Sequence, residues 1–238
     1  MAPTLGGNDM DIALIIIVYS VFAGICGPFW GRLSDRIGRK PVILTCLGGT
    51  ALSYVLLAFS SSLWMVYLSR AFCGLMAGNF GVVSAMIADI TSPENRARGM
   101  GLMGAAFAVG MVVGPTLGGV LSGAELNFVR PALAAASLSV LAIIAGSIVL
   151  TESLTPEMRQ QHAAHQQGKP RQSVFAMVKQ SGNLLLVGQY FIHNSCISMV
   201  SFLFPLLVRD ELGWGPAEIG IVFGVQGILM ATIQTTCI

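Results

Sequence analysis

The chain has 238 residues, of which 54% are hydrophobic and only 10% charged, and its net charge is +2. An average soluble domain carries roughly 25% charged residues, so with a mean hydropathy of +0.75 too few polar side chains remain to cover a water-facing surface. Composition excludes a disordered chain, a secreted disulfide scaffold and, for want of a basic field, a nucleic-acid binder; it leaves a polytopic membrane protein whose first partner is the lipid bilayer.

Seven long apolar stretches follow in chain order: Asp11–Trp30, Pro41–Ser60, Leu63–Ile87, Gly99–Leu121, Val129–Leu150, Asn183–Val208 and Pro216–Ile238. Each is near the ~20 residues with which a helix crosses a hydrocarbon layer. A lone strand cannot satisfy its backbone in lipid, so the expected class is all-α. The first stretch is too long for a signal peptide, and Met1 to Met10 contains no Lys or Arg.

Of the 13 basic residues, ten lie in three alternate connections: Arg32, Arg36, Arg39 and Lys40; Arg96 and Arg98; Arg159, Lys169, Arg171 and Lys179. Only Arg130 and Arg209 lie in the opposite connections, and Arg70 lies inside a span. Cytoplasmic loops carry the excess of Lys and Arg. The expected topology is therefore multi-pass in a cell membrane, plasma or bacterial inner, with the first residues outside. Trp30, Trp64 and Trp214 fall at span ends, where an aromatic belt sits.

Cys26, Cys46, Cys73, Cys196 and Cys237 lie within apolar spans, without metal-site spacing, and read as small packing residues. His162 and His165 sit in the polar connection from Thr151 to Gly182, which contains Gln160, Gln161, Gln166, Gln167 and two prolines, Pro156 and Pro170. That connection reads as a flexible cytoplasmic linker, not a metal site. Neither a Cys- or Ser-based triad nor a phosphate-binding glycine loop is visible. No enzyme, cofactor or metal is expected.

An internal repeat adds topology. Gly27-Pro28-Phe29-Trp30-Gly31 and Gly114-Pro115-Thr116-Leu117-Gly118 both fit G-P-x-x-G, about 16 residues into spans one and four. The next spans open with Lys40-Pro41 and Arg130-Pro131. The paired spans cross in opposite directions, which is the inverted repeat of many secondary transporters. Span three has no partner at the start, and span seven runs to Ile238 without charge behind it. The expectation is a fragment, truncated at both ends.

Gly31-Arg32-Leu33-Ser34-Asp35-Arg36-Ile37-Gly38-Arg39-Lys40 resembles the signature between helices two and three of the major facilitator superfamily. Arg70 with Gly74 and Gly78 resembles its helix-four motif. Gly110, Gly114, Pro115, Gly118 and Gly119 resemble the helix-five motif associated with drug:proton antiporters. Pro93 to Gly99 and Thr151-Glu152-Ser153 also fit the tetracycline-efflux-like branch. The resemblance implies a bundle with inverted repeats, of which the spans are helices two to eight of twelve. Residues 1–150 are then an N-terminal half lacking its first helix, 151–182 the linker, and 183–238 the first two helices of the C-terminal half.

The motifs also carry readings of their own. Positive charges anchor a cytoplasmic loop without needing Asp35, Gly31 or Gly38. Gly38 allows a tight turn with positive φ. Asp35 can pair with Arg36 or Arg39, or face a helix N-terminus. Such contacts break when two bundles rock apart, so the loop Gly31, Asp35, Arg36, Gly38, Arg39, Lys40 can latch the gate. The resemblance implies that role, with a partner helix in the other half.

Arg70 lies roughly 10 Å into its span at 1.5 Å per residue. It either snorkels to the surface or faces a partner or cavity; the resemblance places the partner in the proton path or on the preceding helix, the one expected to be missing here. Gly110, Gly114 and Gly118 form one small-residue face that a neighbour can approach closely, and Pro115 can kink the helix. The face reads as packing, or, by resemblance, as a hinge or proton seal between halves. In span six, Gln189, Tyr190, His193, Asn194, Ser198 and Ser201 share half a helical wheel. With Gln226 and Gln234 they are candidates for a substrate cavity.

No Asp or Glu lies deep in a span: Asp11, Asp89 and Glu218 are near ends. A proton antiporter needs a group that titrates within the membrane, often a carboxylate in the family, so proton coupling rests on the resemblance alone. The expected function is secondary transport of a small-molecule substrate by alternating access: efflux of an amphipathic compound or drug, with H⁺ as coupling ion. A metabolite or sugar porter and an inactive fragment are the alternatives. A seven-helix receptor matches the span count but not the repeat or the Asp35 loop.

Overall fold

The computed structural model describes residues 6–123, 128–154, 183–215, 218–226 and 229. The described residues form helices α1 (Asp9–Ile37), α2 (Arg39–Ala58), α3 (Leu63–Leu75), α4 (Asn79–Ile90), α5 (Arg96–Ser122), α6 (Val129–Val149) and α7 (Asn183–Leu212). Residues 218–226 are also helical. Among the described residues, five helical stretches are long and apolar enough to cross a membrane: Met10–Ile37, Arg39–Ala58, Leu63–Ile90 (α3 and α4 together), Arg96–Ser122 and Val129–Val149. At 1.5 Å per residue the 30 residues of α7 extend about 45 Å, more than a hydrocarbon core. Most of the seventh expected span, and residues 155–182 of the linker, lie outside the described residues.

The chain turns from α1 into α2 at a single residue. Gly38 has φ 114°, a conformation that a Cβ disfavours and glycine adopts freely. Its N–H still bonds the Ser34 carbonyl at 3.1 Å, closing α1. The backbone therefore leaves one helix and starts the next with no connecting loop.

The third expected span is not one helix. α3 stops at Leu75 and α4 starts at Asn79, leaving a turn at Met76–Gly78 in the middle of a 28-residue apolar run. Hydropathy does not reveal this break, because the turn residues are themselves apolar or small. Free backbone groups in a membrane interior must find partners inside the protein. The Trp30 indole Nε1 donates to the Leu75 carbonyl at 2.6 Å. The Met76 N–H is shared between Phe72 and Cys73 carbonyls, at 3.2 and 3.1 Å.

α2 lies along α6 and α1 along α3, while α2 also touches α3 and α4. The buried core consists of Trp30, Val42, Ile43, Cys46, Val82 and Met86, from α1, α2 and α4. It sits toward the end of the bundle where α1 gives way to α2. The outward faces stay apolar: Ile25 is 69% exposed, Val120 68% and Ile148 78%. Water would penalise such surfaces; lipid does not.

Candidate functional site

Directly above this core the helix ends meet in a network of charges. The Arg39 side chain is only 6% exposed. Its Nη1 lies 2.7 Å from Asp35 Oδ1, four residues back across the Gly38 corner, and donates to Ser34 Oγ at 2.6 Å. Its Nε donates to Asp89 Oδ2, at the end of α4, at 3.0 Å. Ser34 is fully buried; its hydroxyl accepts from Arg39 and donates to the Gly31 carbonyl at 2.7 Å. A buried guanidinium is tolerable only when its donors and charge are matched. Here two carboxylates and a hydroxyl match it.

A third carboxylate completes the arrangement. Glu152, just past α6, accepts from the Arg39 backbone N–H at 2.8 Å through Oε1. It accepts from the Lys40 N–H at 3.2 Å through Oε2. A negative group is favourable at the N-terminus of α2, whose first N–H groups have no partner within the helix. Nearby, Lys40 Nζ donates to the Ser147 carbonyl at 2.8 Å, and Ser153 Oγ lies 3.5 Å from Asp89 Oδ2. Of the expected loop residues, Asp35, Gly38, Arg39 and Lys40 come together; Arg36 is exposed and Gly31 faces open space. Of the partners expected for Asp35, which were Arg36, Arg39 or a helix N-terminus, the structure selects Arg39. All these contacts join ends within the first 154 residues.

Ser34, Asp89, Glu152 and Ser153 were not among the expected gating residues. Asp89 is 50 positions from Arg39 and Glu152 is 113, so no local spacing reveals them. The available signals were an acidic residue at a span end and a Thr-Glu-Ser triplet after an apolar run.

Deeper in the bundle, the Arg70 guanidinium carbon lies 5.5 Å from the centroid of the Tyr54 ring on α2. This is cation–π distance, and it gives the intramembrane charge a partner on a neighbouring helix. One and two turns further on, Gly74 and Gly78 make room for α1. A Cβ on Gly74 would come 2.5 Å from the Tyr19 carbonyl oxygen and 2.9 Å from the Phe22 Cβ. A Cβ on Gly78 would overlap the Trp30 side chain.

The α5 glycines differ. A Cβ on Gly110, Gly114 or Gly118 would meet nothing within 4 Å among the described residues; Gly119 is partly buried. Beside this stripe, at Pro115, a later segment arrives. A Cβ on Gly220 would lie 3.2 Å from the Pro115 carbonyl oxygen, and the Thr116 hydroxyl donates to the Gly220 carbonyl at 3.4 Å. Of the cavity candidates, Gln189 and Gln226 are exposed. The side chains of Tyr190, His193 and Asn194 lie outside the described residues, as do Gln234, His162 and His165.

Comparison with known proteins places the chain in a family. The family model of the Major Facilitator Superfamily matches residues 1–236. The tetracycline resistance protein, class C, of Escherichia coli is 34% identical over 228 residues, covering 93% of this chain and 55% of that protein. Human major facilitator superfamily domain-containing protein 10 is 28% identical, covering 93% and 51%. A crystal structure of the human organic anion transporter MFSD10 superposes with a TM-score of 0.69 at 30% identity, covering 93% of this chain and 55% of that one. The chain spans about half the length of the curated relatives it matches. With a helical bundle of this architecture and a family match along nearly its whole length, the chain is a multi-pass membrane protein of the major facilitator superfamily.

Proposed function

We propose that this chain serves secondary transport, exporting a small amphipathic compound against H⁺ by alternating access. Residues 1–150 act as one helical half, 151–182 as the connector and 183–238 as the start of the second half. The loop Gly31 to Lys40 faces the cytoplasm and latches the gate. The observation that carries this reading is the buried Arg39, matched by Asp35 and Asp89 in the loop where the family signature lies. A residue held this way costs several kcal/mol when stripped of one partner. A conformational change that breaks one contact must therefore be driven, which is the behaviour a latch requires.

Support for efflux and for proton coupling comes from the tetracycline resistance relatives and the helix-five motif. It does not come from a carboxylate within a span, since Asp11, Asp89 and Glu218 all lie at helix ends. Arg70 and Tyr54 supply a charge within the membrane, and Gln189 and Gln226 are the described polar candidates for substrate contact.

Inverted membrane vesicles carrying the chain test the reading, with tetracycline as first probe and an ΔpH-sensitive dye as readout. Tetracycline should dissipate part of an imposed proton gradient, and Arg39→Ala should abolish the response. Uptake of the compound without proton movement would favour a porter. The structural likeness to an organic anion transporter makes an organic anion the second probe. Silence with both probes would sink transport by this chain.

A further inference from the structure

Helix α2 begins under an unusual demand. Its N-cap is Gly38, which makes no side-chain cap hydrogen bond, and Pro41, the third helical residue, carries no N–H. Two first-turn donors therefore remain to be satisfied, the N–H groups of Arg39 and Lys40. An Asp, Ser or Asn at the N-cap position ordinarily supplies such an acceptor. Here it comes from Glu152, 113 residues away, one oxygen to each N–H. The same carboxylate accepts from the Leu154 N–H at 3.1 Å, and Leu154 is fully buried. Ser153 and Ser147 make the further contacts already described. The segment after α6 is thus seated on the loop by side chain, backbone and burial together.

We infer that Glu152 is a positioning residue of the gating loop. As a long-range N-cap of α2 it fixes the Gly38 corner, and with it Arg39, to the place where the chain leaves the first helical half. The gating sense of this assignment rests on the function proposed above. Residues up to Leu154 then move with the first half, and the connector starts beyond them. A displacement of the second half acts on the loop through Glu152 rather than through slack chain.

Residue-resolved hydrogen exchange on the full chain in lipid nanodiscs tests the cap. Arg39 and Lys40 carry the only backbone N–H groups between Gly38 and Val42. Glu152→Ala should speed their exchange about tenfold or more, the loss expected for hydrogen bonds to a charged acceptor. Glu152→Gln keeps one acceptor oxygen and should fall between, and it carries the same comparison should the alanine variant not reach the membrane. In vesicles, Glu152→Ala should lower the maximal transport rate at unchanged KM, with partial rescue by Gln. Unchanged exchange overturns the cap. Faster exchange with wild-type kinetics overturns the positioning role. A wild-type chain that moves neither probe counts against the proposed function, and exchange still decides whether Glu152 caps α2.

Discussion

The Asp35–Arg39 end of the bundle and the glycine face of α5 are built on opposite plans. At the first, the buried polar groups have found partners: Arg39 touches Asp35, Ser34 and Asp89, and Glu152 takes up the α2 N–H groups. At the second, Gly110, Gly114 and Gly118 present a smooth stripe on which an added Cβ would meet nothing described within 4 Å. Yet both regions belong to a G-P-x-x-G helix, the first just past the motif in α1 and the second around the motif in α5. The difference shows that the repeat encodes helix shape, while the neighbours available to each copy decide its packing. α1 has α3 alongside it, and α5 has only slight contacts with α4 and α6.

The largest effect should come from removing the charge on which the polar end converges. Arg39→Ala leaves Asp35 and Asp89 facing each other with no cation between them, and breaking a buried pair this way costs about 3–5 kcal/mol. Thermal unfolding in detergent should show a lowered midpoint, and Asp89→Asn, which removes one of two carboxylates, should lower it less. If Arg39→Ala unfolds like the wild type, the network is decorative. Next in size is Gly74→Val. Its Cβ meets the Tyr19 backbone carbonyl, which cannot swing aside as a side chain can. Overpacking of this kind costs roughly 1–3 kcal/mol. Cysteine crosslinking between α1 and α3 should fall in this variant and not in Gly31→Ala, where the added methyl meets open space.

The parts legible in the sequence were those set by local chemistry. Apolar length predicts the spans, and glycine at 38 predicts the tight corner, because each depends on residues near in the chain. The break at Met76–Gly78 was not legible. It is held by the Trp30 indole from another helix, and its own residues read as continuous membrane span. Glu152 was hidden for a related reason: a helix cap is normally sought beside the helix it caps, and here the chain passes through four more helices before supplying it. Asp89 reads as the polar end of a span until α4 is placed against α2. Sequence left Asp35 with Arg36, Arg39 or a helix N-terminus as partner, and only the corner at Gly38, which brings Arg39 back beside α1 while Arg36 stays exposed, decides among them.

A weaker contact checks the scale at the polar end. Lys40 Nζ bonds the Ser147 carbonyl on an exposed edge, where such contacts contribute about 0–1 kcal/mol. Lys40→Met should therefore change the unfolding midpoint little and leave exchange at the Lys40 amide slow, because that amide is held by Glu152 and not by its own side chain. Fast amide exchange in this variant would mean that the lysine, rather than the carboxylate, orders the turn.

The smallest change in stability is expected at Gly114, and it bears most on the comparison. An added methyl finds nothing within 4 Å, and alanine is favoured over glycine in a helix interior by roughly 0.5–1 kcal/mol. Gly114→Ala should leave unfolding of this chain unchanged or slightly delayed. Transport is a different matter if the stripe closes against another helix during the cycle. Small residues let helices approach at the backbone, so Gly114→Leu should then stop transport while the isolated chain stays as stable as before. Residues 218–226 already reach α5 at Pro115 and Thr116, next to this stripe, which marks where such an approach begins. Equal transport by Gly114→Leu and the wild type would make the stripe a lipid-facing surface. Lost transport with unchanged stability would make it the moving counterpart of the fixed polar end, one region held by contacts already made and the other kept smooth for contacts made in turn.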